Sequence, residues 1–146
     1  MKRCIAFTAL VLIGLFTTRS ARADGGCTVA NLNGTYAVSR QGTLVTSVLG
    51  LPAPAPWGEV ARANFTGTGS LSAAVAVNIG GVVINGTVTG TYTVNSDCTG
   101  TITVHPTGLP ITITEAIVVI KGGQSYIATD TEAFAVVQGR GEKLED

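Results

Sequence analysis

From residue 24 onward, apolar side chains recur at every second position between breaks of Gly, Asn and Pro, the period of a β-strand with one buried face. The clearest instance is residues 70–79, where Leu71, Ala73, Val75, Val77 and Ile79 share one face and Ser70, Ser72, Ala74, Ala76 and Asn78 share the other. Before it, Tyr36 and Val38 alternate with Ala37 and Ser39 in a strand entered through Asn33-Gly34. A second strand surrounds Val60 to Phe65 and turns at Gly67-Thr68-Gly69. After it, Gly80-Gly81 and Asn85-Gly86 flank a short apolar piece, Val82 to Ile84, and a strand carrying Val88, Tyr92 and Val94 follows. Asn95-Ser96-Asp97 is a turn cluster, because Asn and Asp tolerate left-handed backbone and bond nearby amides. Its hairpin partner runs from Cys98 to Val104, and a long apolar strand runs from Ile111 to Ile120. Runs at Ser125 to Thr129 and Glu132 to Gln138 follow, and a charged tail ends at Asp146.

No helical period interrupts this series. The expected fold is all-β, an antiparallel meander of about eight strands with short connections. Closure into a barrel removes the exposed edges that promote aggregation, so a closed or nearly closed barrel is favoured, with a β-sandwich as the alternative.

The first 23 residues differ from the rest. Met1-Lys2-Arg3, an apolar run from Cys4 to Phe16 and the small-residue site Ala21-Arg22-Ala23 have the order of a cleavable secretory signal peptide of bacterial type. The run falls short of the ~20 apolar residues a stable bilayer span needs, so no membrane span is expected after cleavage. Residues 24–146 then form a single domain bound for the periplasm or the medium. It carries five basic and nine acidic residues, a formal net charge of −4. A nucleic-acid partner, which needs a basic footprint to release counterions, is not expected. A membrane barrel is also a poor fit, since aromatics make up only 5% of the chain and such barrels carry aromatic girdles. Cys4 leaves with the leader, and in an oxidising compartment the remaining Cys27 and Cys98 are expected to form one disulfide.

Candidate chemistry is sparse. The sole histidine, His105, has no partner at ligand spacing, so neither a metal nor any other cofactor is expected. Arg40 shares parity with Tyr36 and Val38, and Glu115 shares parity with Ile111, Ile113, Ile117 and Val119. A charge on an apolar strand face needs either a partner or a bulge that delivers it to solvent, and the bulge is the more ordinary outcome. If both faces point into a barrel, Arg40 and Glu115 can pair there and orient a ligand. Asp130 and Glu132 are read as part of a Thr-rich turn. The Pro-rich segment 51–57 is read as a stiff loop, with Trp57 either contacting a ligand as a lid or simply capping the core.

The hairpin Gly90 to Thr101, together with Cys27 ahead of Leu32-Asn33-Gly34-Thr35-Tyr36, resembles a group of exported bacterial β proteins associated with the allene oxide cyclase-like barrel. The resemblance implies the barrel and the Cys27–Cys98 bridge, and it places no catalytic position on this chain. Three functions are compatible with the sequence. One is a barrel that binds a small apolar molecule, with Arg40, Glu115, Trp57, Tyr36 and Tyr92 as candidate contacts. The second is a cyclase- or isomerase-type barrel enzyme. The third is a surface-fibre or envelope subunit, suggested by richness in Ala, Thr, Gly and Val.

Overall fold

The computed structural model describes residues 26–145, so the leader expected at residues 1–23 lies outside the described residues. Eight strands follow in order: β1 (Asn33–Leu44), β2 (Ala55–Thr66), β3 (Ser70–Ile79), β4 (Val82–Val94), β5 (Thr99–Pro106), β6 (Ile113–Ile120), β7 (Ser125–Asp130) and β8 (Ala135–Lys143). Each pairs antiparallel with the next, and β8 returns to pair with β1, which closes the sheet into a barrel and excludes the sandwich. Among the described residues no helix is long and apolar enough to cross a membrane.

Parity places the side chains as expected. Tyr36, Val38 and Leu44 of β1, Ala63 and Phe65 of β2, Ile102 and Val104 of β5, and Ile113, Ile117 and Val119 of β6 are all buried. The strand boundaries differ from the sequence reading in four places. Ala55-Pro56-Trp57 belongs to β2 and not to a loop: Pro56 lies opposite Thr43 and faces outward, and its carbonyl still accepts from the Gly80 amide at 2.9 Å. Residues 82–84 are not a separate piece. Asn85 and Gly86 continue β4 because Gly80-Gly81, both at positive φ, already supply the hairpin turn, with the Gly81 amide donating to Asn78 Oδ1. Residues 111–112 stay outside β6, which starts at Ile113. The charged tail is mostly strand: β8 begins at Ala135, and Gln138, Arg140 and Glu142 take its solvent face while Val137, Gly139 and Gly141 face inward.

Two of those glycines are required by close approach. A Cβ at Gly141 would collide with the edge of the Tyr126 ring, and one at Gly139 would collide with the Ser39 carbonyl and the Arg40 side chain. The bare backbone of β8 thus makes room for two large inward side chains from its neighbours.

One end of the barrel is plugged. Tyr36, Phe65, Tyr92 and Tyr126 form an aromatic cluster with ring centroids 5.1–5.9 Å apart, Phe65 meeting each of the three tyrosines edge-to-face and Tyr36 tilted against Tyr126; such pairs are worth about 0.5–1.5 kcal/mol each beyond burial. Below it lies the N-terminal arm with Leu32, which is fully buried. Tyr92 Oη donates to the Leu32 carbonyl at 2.6 Å, and Tyr36 Oη donates to the Gly123 carbonyl. The expected disulfide is present: Cys27 and Cys98 are bonded, tying the arm to the β4–β5 turn across 71 residues of sequence. That turn is set by Asp97, whose carboxylate accepts from the Thr99 amide and hydroxyl.

Candidate functional site

Above the plug the barrel is not filled. The inward positions of β2, β3 and β4 at mid-height are small: Ala61 and Ala63, Ala73 and Val75, and Gly86. Eight strands enclose just enough space for side chains or for one small ligand. With alanine and glycine on one side, the space stays open as a cavity of about 220 Å³. Its wall is almost wholly apolar, and the β1–β2 loop, Phe134 and the β5–β6 loop around Leu109 and Ile111 stand at its mouth. β4 contributes to this opening. Its pairing with β5 stops at Val88, so Val82 to Gly86 pair with β3 alone.

The polar part of the interior comes from four charged residues. Arg40 on β1 lies directly across from Glu59 on β2, and Glu115 on β6 directly across from Asp130 on β7. Arg40 Nη2 donates to Glu115 Oε1, while Arg40 Nη1 lies 3.7 Å from Glu59 Oε1. Glu115 is completely buried, and its Oε2 has no partner. Neither strand bulges: Arg40 and Glu115 keep their inward parity and meet, so the more ordinary outcome expected from sequence does not hold. Arg40 and Glu59 reach the cavity wall, as does Tyr126, whereas Glu115 sits outside it.

One guanidinium faces three carboxyl groups in a desolvated space, and the ionisation responds. Burial alone lowers Arg40, but Glu115 and Glu59 outweigh it and hold its pKa above the usual value. Burial raises the Glu115 carboxyl to about 7 against the pull of Arg40, with Asp130 pushing the same way. Asp130 is raised to about 6, again mainly by burial, and the Tyr126 phenol is raised by the same cause.

Trp57 lies in the cavity wall opposite Gly42, 9% exposed, and its Nε1 donor is buried without a partner. It therefore borders the cavity from within the barrel wall and not from a lid. Tyr36 and Tyr92 lie apart from this wall, in the plug, with both hydroxyls committed to backbone carbonyls. His105 is exposed at the end of β5, its Nδ1 3.1 Å from the Thr112 hydroxyl. Among the described residues no group of three or more His, Cys, Asp or Glu side chains is placed to hold a metal ion.

Two site residues escaped the sequence reading. Glu59 shares parity with Ala61, Ala63 and Phe65, a signal hidden because the sequence marks the strand only from Val60. The Thr-rich surroundings of Asp130 read as a turn, yet it is the last inward position of β7, and it is Glu132 that turns back to accept the Thr114 amide at 3.1 Å. In comparisons with known proteins, the chain matches no family model, no curated protein and no solved structure.

Proposed function

We propose that this protein is an exported binding barrel that holds one small apolar molecule in its interior. The observation that carries the reading is the apolar cavity of about 220 Å³, open at one end and sealed at the other by the aromatic plug. A folded core of natural sequence leaves few voids larger than a water molecule. An open one lined by Ala61, Ala73, Val75 and Gly86 is a departure that ligand binding accounts for. The Cys27–Cys98 disulfide is consistent with an oxidising compartment and so supports export to the periplasm or the medium.

A second reading, a cyclase- or isomerase-type enzyme, draws on Arg40 and Tyr126 in the wall and on the Glu115 carboxyl beside Arg40. Both readings need an occupant, and they differ in whether it leaves unchanged.

Native mass spectrometry of protein purified from its own source tests the proposal. A small molecule that travels with the wild type and is missing from Gly86→Phe supports it. Position 86 is suited to this block, since a Cβ there meets nothing within 4 Å and the backbone does not require glycine. Wild-type protein that flies only as the bare chain, and takes up no apolar compound on incubation, overturns it. Return of an added compound in isomerised form favours the enzyme.

A further inference from the structure

Two polar side chains of the cavity wall keep part of their surface open to the space. Glu59 is the inward position of β2 next to Ala61, and it lies directly across from Arg40 on β1. Both line the cavity, with the Arg40 and Glu59 side chains 10% and 9% exposed. On the inward face of a closed barrel that remaining surface opens onto the interior. Arg40 commits Nη2 to Glu115, which leaves Nη1 without a hydrogen bond. Glu59 accepts no hydrogen bond among the described residues, and neither of its oxygens is closed off as Glu115 Oε2 is. Arg40 Nη1 and Glu59 Oε1 stand 3.7 Å apart. That is too far for a hydrogen bond between them, yet one oxygen atom can lie ~2.8 Å from both.

The gap between a donor and an acceptor selects among head groups. A ligand carboxylate could reach Nη1 only against Glu59, in a space where Glu59, Glu115 and Asp130 already outnumber the guanidinium. An ammonium could reach Glu59 only against Nη1, and it has no lone pair to offer. An ether or ester oxygen accepts from Nη1 and leaves Glu59 without a donor. A hydroxyl both accepts and donates.

We propose that Arg40 Nη1 and Glu59 Oε1 form a hydroxyl-binding site, and that the ligand is an apolar alcohol whose oxygen accepts from the guanidinium and donates to the carboxylate. This rests on the binding reading above and narrows it to a ligand class. The hydrocarbon part lies along Ala61, Ala73, Val75 and Gly86, and the Arg40–Glu59 pair determines specificity.

The test is a matched series titrated into the full mature protein at mildly alkaline pH: octane, octanol, its isomer methyl heptyl ether, octanoate and octylammonium. Heteronuclear NMR follows the amide signals of Ala61, Val75 and Gly86 in the wall. Octanol is expected to bind roughly tenfold tighter than octane, the ratio for about 1.4 kcal/mol. The ether, which cannot donate to Glu59, should lose most of that advantage. Both ions are expected to bind at least tenfold more weakly than octanol, on the scale of an unfavourable buried charge. In Glu59→Leu, checked for fold by circular dichroism, the advantage of octanol over octane should fall to within about twofold.

Either ion binding as tightly as octanol overturns the proposal. So does an ether as tight as the alcohol, a comparison that uses the wild type alone and needs no variant. An octanol advantage that survives intact in folded Glu59→Leu removes Glu59 from the site and overturns it as well. If octane and octanol both fail to bind, the cavity reading falls and takes this proposal with it. Octane binding as tightly as octanol leaves the cavity reading standing and removes only the hydroxyl site.

Discussion

Arg40 and Glu115 stand 75 residues apart in sequence and meet inside the barrel, where Arg40 Nη2 donates to Glu115 Oε1 and links β1 to β6 across the interior. The pair sits where a barrel of this size would ordinarily place aliphatic side chains. Its contribution to stability is governed by what remains when one partner is removed, because desolvated charges are costly alone.

Arg40→Met should therefore be severe. It leaves Glu59, Glu115 and Asp130 without a counter-charge, and a loss of about 3–5 kcal/mol is expected in urea denaturation. Glu115→Gln should cost less, since Arg40 keeps Glu59 beside it. The double variant Arg40→Met/Glu115→Leu should recover much of the loss, because both members of the buried pair are gone. A double variant as unstable as the sum of its parts would show that the two residues do not act together.

Stability should fall as pH rises through the carboxyl window. Glu115 titrates near 4.5 when unfolded and about 7 in the barrel, and Asp130 moves from 3.8 to about 6. Between those values the folded state binds more protons than the unfolded chain, so its stabilisation is complete at the acid end and is lost toward neutrality. Denaturation midpoints measured across this range should decline, and Glu115→Gln should flatten the decline. A midpoint that climbs steadily from acid to neutral would contradict the sign.

The disulfide should hold the plugged end together. A bridge closing a loop of 71 residues contributes roughly 4 kcal/mol on the chain-entropy account. Alkylation without reduction should label neither Cys27 nor Cys98. Cys27→Ala/Cys98→Ala should lower the unfolding free energy by about 2–4 kcal/mol and release the arm that carries Leu32 beneath Tyr92. Faster amide exchange at residues 27–32 would report that release.

The glycines of β8 and β2 should respond oppositely. Gly141→Ala drives a methyl into the Tyr126 ring, and a cost of about 1–3 kcal/mol is expected from overpacking. Gly58→Ala meets nothing within 4 Å on the outer face and should be neutral or stabilising by up to about 1 kcal/mol. Equal effects at the two positions would mean that Tyr126 does not occupy the space Gly141 leaves.

Much of this architecture is legible in parity alone. Residues 71–79 announce an inward face at every odd position, and Arg40 and Glu115 fall on inward faces by the same count. Glu59 is not legible because the prolines at 52, 54 and 56 suggest a loop, although a proline whose missing amide costs no buried donor can sit in a strand. Residues 140–143 read as part of a charged tail, yet they continue β8, because alternate residues of a barrel wall belong in water. The cavity itself has no single sequence mark. It arises because Ala61, Val75 and Gly86 come to one height, and register between strands decides that. The meeting of Arg40 with Glu115 likewise depends on closure, which brings β1 and β6 to face each other.

The most direct test of the binding barrel is energy transfer from Trp57 to an apolar dye such as N-phenylnaphthylamine, titrated into wild type and Gly86→Phe. Saturable transfer at one dye per wild-type barrel, abolished in Gly86→Phe while the fold is retained, is the predicted result. Absence of saturable transfer in the wild type, or equal transfer in both proteins, would contradict it.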